Sequence, residues 1–446
     1  MFFETNYKVE EYALHSSWGD FPEKVKLYAQ MCAIDLTSAL ILGSYGRQFK
    51  VGEKIAKNYG LLGNIQVIGG HQGYNLLGAS ITMGHSSNSF DIDDGHRLIQ
   101  GHPGTSFIAG TLAAALEKNK SIGDFLEALV VCYELTIRWA MVMQKEYGFL
   151  HSTGTYGAFG TAVGVGRIMG LSKEQLNNAL SIADYHAPLT PVMRAVEFPS
   201  MNKDGVPFGA LVGTMAVIET LCGSTGKTHL LEKPEYKAYL DNLGEKFHIL
   251  DLYFKPYTCC RWAHQPIRAI VDLKKEYCFK WTDVKLLKIK TFKSATLLSK
   301  KTPTDTEEAQ YNIAYPLACA VVHGDVGYMQ IREEALKDLD VLNTMQRIQF
   351  EICDKYEAQF PQKRLASVEI ELTNGHILKS GVYEAPGEPD DPELGLDWII
   401  NKFRRITAPM LDKKGQKMVI DAFTKNQNRT VRDFVHQLNN SLIKDI

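Results

Sequence analysis

The 446-residue chain lacks several features that mark specialised classes of protein. Lys plus Arg number 49 and Asp plus Glu number 51, so the net charge is −2 and nothing indicates a nucleic-acid partner. No uncharged apolar run reaches the ~18–20 residues that cross a bilayer, and the N-terminal MFFETNYKVEEYALHSSWGD has no apolar secretory segment. The eight cysteines form no CxxC pair, which is typical of reduced, intracellular proteins. These absences predict a soluble, cytoplasmic protein with no membrane partner.

The patterns that are present predict a mainly α fold whose second part is α+β. Hydrophobic residues make up 45% and charged residues 22%, an ordinary globular balance that suits two or three domains. After about residue 280, residues alternate in Val284–Phe292 and Ser367–Thr373, and Asn374-Gly375 signals a hairpin. Apolar residues at helical spacing predict helices at Phe21–Leu42, Pro103–Glu117, Ser121–Met143, Thr155–Met169, Lys173–Ala183, Gly209–Leu221, Glu307–Val322, Arg332–Leu342 and Leu396–Ile406.

The segment GHSSNSFDIDDGHRLIQGHPG, residues 84–104, is the most unusual stretch of the chain. Such a density of acidic groups and histidines is costly to bury unless water, a metal or a substrate compensates. The segment fits neither an EF-hand loop nor the HExxH zinc motif. A solvated capping loop, a metal site and acid–base chemistry therefore all stay open. The candidate metal ligands are Asp91, Asp94, His96 and His102.

Four further segments carry candidate functional side chains, each with a structural alternative. His151 precedes a helix rich in Gly and Thr, where it suits a cap partner or a catalyst. Lys203 stands before an Asp-Gly turn, as surface lysines also do. In FKPYTCCRWAHQP, three basic groups among aromatic residues indicate either an anion pocket or a core edge with snorkelling cations; they are Lys255, Arg261 and His264. Tyr315 lies in an apolar helical run and needs a partner for its hydroxyl.

Taken together, these segments resemble the MmgE/PrpD family over roughly residues 20–410. The resemblance rests on FDIDDGHRLIQGHPG, HSTGTYGAFGTAVGVGRIMGLS, SMNKDGVPFGALVG, FKPYTCCRWAH, EAQYNIAYPLACAVVHGDVG, VEIELTNGHIL and NKFRRI in that order. It implies a large all-helical domain, residues 1–268, completed by C-terminal helices in 407–446. It also implies a smaller α+β lid domain, residues 269–406, an active site between the domains, no metal or organic cofactor, and a homodimer.

The resemblance also assigns roles to individual residues. It implies Asp91, His102 and His151 as catalytic groups. It implies Lys203, Lys255, Arg261, His264 and Tyr315 as the groups that bind the substrate. The chain departs from the decarboxylase pattern in three places: the loop between Asp91 and His102 is one residue longer, Gly95 replaces a threonine, and one residue is inserted after Lys203.

Family substrates are small di- or tricarboxylates, and the expected reaction begins with removal of a proton next to a carboxylate. Fixed cations are needed because they stabilise the charge that develops. Dehydration of the 2-methylcitrate dehydratase type is the first expectation, with cis-aconitate-type decarboxylation and dicarboxylate epimerisation as alternatives. A helical scaffold without catalytic activity is a remoter one.

Overall fold

The structure is a computed structural model that describes residues 7–444. The first six residues of the N-terminal segment considered above therefore lie outside the described part. The helices of the first part are α1 Lys8–His15, α2 Glu23–Ser44, α3 Arg47–Asn58, α4 Leu76–Ser87, α5 Pro103–Glu117, α6 Ile122–Tyr147, α7 Thr153–Met169, α8 Lys173–His186, α9 Met193–Glu197 and α10 Val206–Leu221. Short strands lie among them and just beyond them: β1 Leu62–Gln66, β2 Gly73–Tyr74, β3 Gly95–His96 and β4 Leu252–Tyr253.

The second part mixes helices with one sheet. Its strands are β5 Val284–Thr291, β6 Ile348–Ile352, β7 Leu365–Leu372, β8 Ile377–Lys379 and β9 Tyr383–Glu384. Its helices are α11 His264–Tyr277, α12 Lys293–Thr296, α13 Thr306–Gln310, α14 Ala314–His323, α15 Tyr328–Ile331, α16 Leu339–Met345 and α17 Asp354–Glu357. Three helices close the chain: α18 Leu396–Thr407, α19 Lys413–Thr424 and α20 Val431–Ser441. The predicted mainly α class, with α+β structure after residue 280, is confirmed.

The core of the helical part is the packing of α4, α5, α7 and α10 against one another. Glycines of α10 make its packing against α7 close. A Cβ at Gly213 of α10 would lie 2.3 Å from the carbonyl oxygen of Ala158 on α7, and one at Gly209 would lie 2.5 Å from that of Gly154. Only glycine leaves room at these two positions, so α10 packs directly on the backbone of α7.

The sheet of the second part has the strand order β6-β5-β7-β8, and β9 also pairs with β7. β5 and β6 are parallel and the other pairs are antiparallel. Across β5 and β7, Leu287 pairs with Ile370 and Lys288 with Glu369. The apolar pair is buried and the charged pair is not, which is why alternation in the sequence marks both strands.

The structure corrects the predicted helix Glu307–Val322, which is two helices, α13 and α14, separated at 311–313. Pro316 lacks the N–H that a continuous helix would bond to the carbonyl of residue 312. The side chain of Asn312 instead accepts a hydrogen bond from the Tyr315 N–H at 2.8 Å, which begins a new helix. The predicted helix Arg332–Leu342 is similarly a short 3₁₀ turn, Glu333–Lys337, followed by α16.

Helix α2 is long and apolar enough to span a membrane by length and composition alone. Its apolar window is 83% buried inside the protein, where α2 contacts α4, α6 and α18. These contacts account for its hydrophobicity as that of a core helix.

A buried ion pair joins the C-terminal helices to the helical part. The Lys402 Nζ of α18 contacts the Asp35 carboxylate of α2 and also donates to the Ile92 carbonyl at 2.6 Å. Burial raises the pKa of Asp35 to about 6, although the lysine opposes this shift. Lys402 therefore anchors the loop around Ile92 as well as its own helix.

We expect Lys402→Met to destabilise the protein by about 3–5 kcal/mol, because it leaves Asp35 buried without a cation. Urea unfolding followed by circular dichroism measures this loss. The matched control is Lys417→Met, which breaks an exposed pair with Asp421 and should cost at most about 0.5 kcal/mol. Equal unfolding midpoints for the two variants would show that the buried pair is not an anchor.

Candidate active site

The acidic loop, residues 88–102, connects α4 to α5 and brings its carboxylates close to the His102 ring. Asp91 has a φ of 52°, a left-handed conformation that is uncommon for a residue with a side chain. Asp94 accepts hydrogen bonds from the Gly104 N–H at 3.0 Å and from the Tyr133 hydroxyl, so it caps α5 and faces away from the cavity. In this strained loop, Asp94 therefore has a structural role, while Asp91 and Asp93 lie beside His102.

His102 is the N-cap residue of α5 and lies among carboxylates. Its Nδ1 is 3.0 Å from Asp93 Oδ2 and 2.9 Å from the Asp94 carbonyl oxygen. Its Nε2 is 3.6 Å from Asp91 Oδ1 and 3.8 Å from Asp204 Oδ2. One ring nitrogen is thus held by the loop, and the other faces two carboxylates.

The electrostatics of the cluster favour a protonated His102. Burial and the Lys255 ammonium lower the pKa of His102, but Asp93 and Asp91 outweigh them, so the pKa is raised. Burial acts to raise the pKa of Asp93, but His102 and the two lysines lower it to about 2. Asp93 is therefore the carboxylate that holds His102 as an imidazolium.

Asp204 reaches the cluster from the turn before α10. Its carbonyl oxygen accepts from the Gly154 N–H at 2.7 Å and from the Ser152 hydroxyl at 2.5 Å, which ties the start of α10 to the start of α7. Burial raises the pKa of its carboxyl group, against the effect of His102. The N-termini of α5, α7 and α10 thus converge here, and their partial positive charge favours an anionic ligand.

Lys255 and Lys203 are the two buried lysines of the site, and they differ in what they contact. Lys255 Nζ is 2.7 Å from Asp91 Oδ1, and Asp91 together with Tyr253 raises the lysine's pKa although burial opposes the shift. Lys203 Nζ donates to the Asn88 carbonyl and, at 2.8 Å, to Gln310 Oε1. Burial lowers the pKa of Lys203.

These groups surround a cavity of about 110 Å³. Its lining includes Asp91, His102, Asp204, Tyr253, Lys255 and Tyr311. Asp204 also borders a larger pocket of about 470 Å³ at the N-termini of α7 and α10, which Lys203 and Arg194 line. The cavity lies where the helical part meets the loops of the α+β part.

Two arginines also line the cavity, and they differ in how far their guanidinium groups are already engaged. Arg261 lies 4.7 Å from the centroid of the Tyr253 ring and Arg364 lies 5.9 Å from it. The Nε atoms of both lack a hydrogen-bond partner within residues 7–444, but the terminal nitrogens of Arg261 already donate to the Phe254 carbonyl at 3.3 Å and to Glu388 Oε1 at 2.9 Å. Arg364 is therefore better placed than Arg261 to receive a carboxylate from a ligand.

Four predicted site residues lie outside the lining of the smaller cavity: Lys203, which borders the larger pocket, and His264, His151 and Tyr315. His264 is buried, with Nε2 3.0 Å from the Cys259 carbonyl oxygen, and burial lowers its pKa well below the usual value. His151 stacks on Phe149 at 3.8 Å, and both its ring nitrogens lack a partner in the described part of the chain. The Tyr315 hydroxyl donates to the Gln330 carbonyl oxygen at 2.9 Å.

No sequence pattern indicated three residues that also line the cavity: Asp204, Tyr311 and Arg364. Tyr311 stands in the break between α13 and α14, and its hydroxyl donates to Asp204 Oδ2 at 3.4 Å. In a continuous helix, Tyr315 would be the expected tyrosine of the site. In the sequence, only Pro316 indicates that the helix breaks here. Asp204 follows Lys203 in the sequence, where an Asp-Gly pair is typical of an ordinary turn.

Comparison with known proteins agrees with this architecture. The family model for the MmgE/PrpD N-terminal domain matches residues 8–247, and that for the C-terminal domain matches residues 257–427. The chain belongs to the MmgE/PrpD family. The resemblance seen in its motifs is thereby confirmed, and so is the two-part fold that the family implies.

Relatives in this family share low identity with the chain over most of its length. The cis-aconitate decarboxylase-like protein oryM of Aspergillus oryzae is 24% identical over 446 residues, with 89% of each chain covered. The cis-aconitate decarboxylase of Aspergillus terreus is 22% identical over 397 residues, with 80% of each chain covered. Membership of this family indicates an enzyme of the dehydratase or decarboxylase type.

We expect Asp93→Asn to lower the pKa of His102 by about 1–3 units, because the variant removes the anion beside the imidazolium. Proton NMR titration of the His102 ring signals measures the change, and His102→Asn identifies those signals. Asp354→Asn, which alters an exposed carboxylate of α17, is the control and should leave the titration unchanged. An unaltered midpoint in Asp93→Asn would mean that Asp93 does not hold the proton on His102.

Proposed function

We propose that the protein is a cofactor-independent hydro-lyase that acts on a small di- or tricarboxylate. The observation that carries the proposal is the placing of His102 Nε2 between the carboxylates of Asp91 and Asp204, in a cavity that Lys255 and Arg364 also line. This arrangement offers an acid, a base and fixed cations to one ligand. Decarboxylation and epimerisation are the alternatives that the same groups would support.

The cations suit a substrate with several carboxylates. Lys255 and Arg364 face the cavity, and the convergent helix N-termini add partial positive charge. Removing a proton next to a carboxylate places a second negative charge on that carboxylate. Preorganised donors stabilise this charge in the transition state more than in the ground state.

We assign the base to Asp204 and the acid to His102. Asp91 Oδ1 already contacts the Lys255 ammonium at 2.7 Å, so it is engaged by a cation. The raised pKa of Asp204 suits it to accept a proton. Asp204 takes the proton from carbon, and the His102 imidazolium then protonates the departing hydroxyl as water. Asp93 keeps His102 charged for that second step.

On this proposal, four of the predicted site residues act from outside the cavity. They are His151, His264, Lys203 and Tyr315. Lys203 joins the acidic loop to Gln310 of α13, so it positions the lid-side wall. His151 follows Leu150, which lines the cavity, and Leu150 in turn bonds to Val192 through the backbone. The catalytic role of His151 and the substrate-binding roles of the other three stay predictions.

A metal ion is an alternative occupant of the cluster, since Asp91, His102 and Asp204 present ligand atoms within 4.8 Å of one another. The Lys255 ammonium already lies 2.7 Å from Asp91 and would repel a divalent ion there. We therefore propose proton-transfer chemistry without a metal. We also propose that the protein is a cytoplasmic homodimer.

We expect the purified protein to turn over one member of a panel of citrate, methylcitrate, aconitate, tartrate and aminodicarboxylate analogues. Dehydration would raise absorbance at 240 nm as a conjugated double bond forms, and proton NMR would show that double bond without deuterium in the product when the reaction runs in D₂O. Carbon dioxide release would indicate decarboxylation, and deuterium at the α-carbon without loss of mass would indicate epimerisation. His102→Asn should lower kcat by ~10²–10⁴-fold. Full activity in that variant would contradict the assignment.

We expect Lys255→Ala to lower kcat/KM roughly a hundredfold or more, because it removes a buried cation that faces the ligand. Lys203→Ala should also lose activity, but through displacement of the wall. Both variants should unfold at a lower temperature, because each removes a buried cation, and for Lys255 the loss leaves Asp91 buried without its partner. Steady-state kinetics on the true substrate, measured well below both unfolding temperatures, compare the two losses. The proposal fails if Lys255→Ala keeps normal kinetics.

A further inference from the structure

A second group of ligand-type side chains lies behind the acidic loop, outside the cavity. His96 is 1% exposed, His248 is 4% exposed, and the Asp251 side chain is half exposed. One ligand atom from each lies within 4.8 Å of the others. The two imidazole rings are in edge contact, with centroids 5.9 Å apart.

The backbone fixes this group in place. His96 is the second residue of β3 and pairs with Leu252 of β4, so Asp251 comes directly beside it in the ladder. His248 and Asp251 are the ends of a single 3₁₀ turn, and His248 Nδ1 is 3.3 Å from Asp251 Oδ2. Glu134 accepts from the Ile249 N–H at 3.0 Å and holds this turn from the side of α6.

His96 is the decisive residue, because both of its ring nitrogens are buried and neither has a hydrogen-bond partner in residues 7–444. A neutral imidazole left without any partner is costly in a protein interior. A neutral ring with a free lone pair is the form in which histidine binds metals.

We propose that His96, His248 and Asp251 form a site for a divalent ion of the zinc class. Two imidazoles and one carboxylate are a donor set that zinc accepts, with water in the fourth position. The half-exposed Asp251 leaves an entry path from solvent. Lys246 is the nearby cation that opposes binding, while Glu134 and Asp251 offset it.

An ion at this site would hold the two segments that carry the active-site groups. The His96 N–H donates to the Gly101 carbonyl at 2.9 Å, directly before His102. On the other side, β4 ends two residues before Lys255. The ion would therefore act as a structural clamp on His102 and Lys255, without taking part in proton transfer.

The full-length protein, stripped with EDTA and titrated with ZnCl₂, tests this proposal. We expect about one zinc per chain by elemental analysis, a rise in unfolding temperature of a few degrees, and visible d–d absorption when Co²⁺ replaces zinc. His96→Gln and Asp251→Asn should each weaken binding at least about tenfold. Asp251 is half exposed, so that variant should fold even if His96→Gln does not.

His102→Asn is the matched control, since it removes a histidine from the other His–Asp cluster and should bind zinc normally. Zinc binding that survives in Asp251→Asn but is lost in His102→Asn would place the ion in the active site and overturn the proposal. Absence of binding to the native protein would overturn it too. Stripping zinc should lower the unfolding temperature and leave turnover at 25 °C unchanged, whereas failure of the proposed function would appear as no turnover with or without zinc.

Discussion

The structure around the cavity depends on a balance of buried charge. Asp91, Asp93 and Asp204 are each at most 4% exposed, and isolated carboxylates in such positions would be protonated or would unfold the loop. His102, Lys255 and Lys203 supply the compensating cations, and each comes from a different stretch of the chain. The balance therefore requires the acidic loop, the turn before α10 and the segment after β4 to meet. The packing of the helices brings those three stretches together.

The same balance explains why two lysines on one site behave differently. Lys255 contacts a carboxylate directly, so attraction outweighs burial and its pKa is raised. Lys203 contacts an amide oxygen and a backbone carbonyl, so burial dominates and its pKa is lowered. A left-handed backbone at Lys203, with φ of 37°, directs this residue inward and sets Asp204 toward His102. Local strain at 203 is thus linked to the position of the base that we propose.

Much of the fold could be predicted because its signals are local. Ser121 and Asp124 form a capping box at the start of α6, and the alternation that predicts β5 and β7 reflects one buried face of the sheet. The site was harder to predict, because whether a residue belongs to it depends on where its side chain points. Tyr311 lies in the helix break near Asn312 and Pro316, whereas Tyr315 lies in α14 just after it, and only Tyr311 reaches Asp204. His264 carries the expected residue type in the expected segment, but its ring turns toward the Cys259 carbonyl.

The departure at Gly95 gains a physical meaning from its neighbour. A Cβ at this position would lie within 2.2–2.6 Å of the Tyr253 ring, so a threonine here would require the tyrosine to move. Tyr253 in turn lies under Arg261 and Arg364 and lines the cavity beside Lys255. The position of the Tyr253 ring therefore depends on glycine at 95. The ring lies where a chain with the threonine would have a hydroxyl group. On the function that we propose, this ring packs against Arg364 and so helps to set where a substrate carboxylate is held, while the groups around His102 carry the proton.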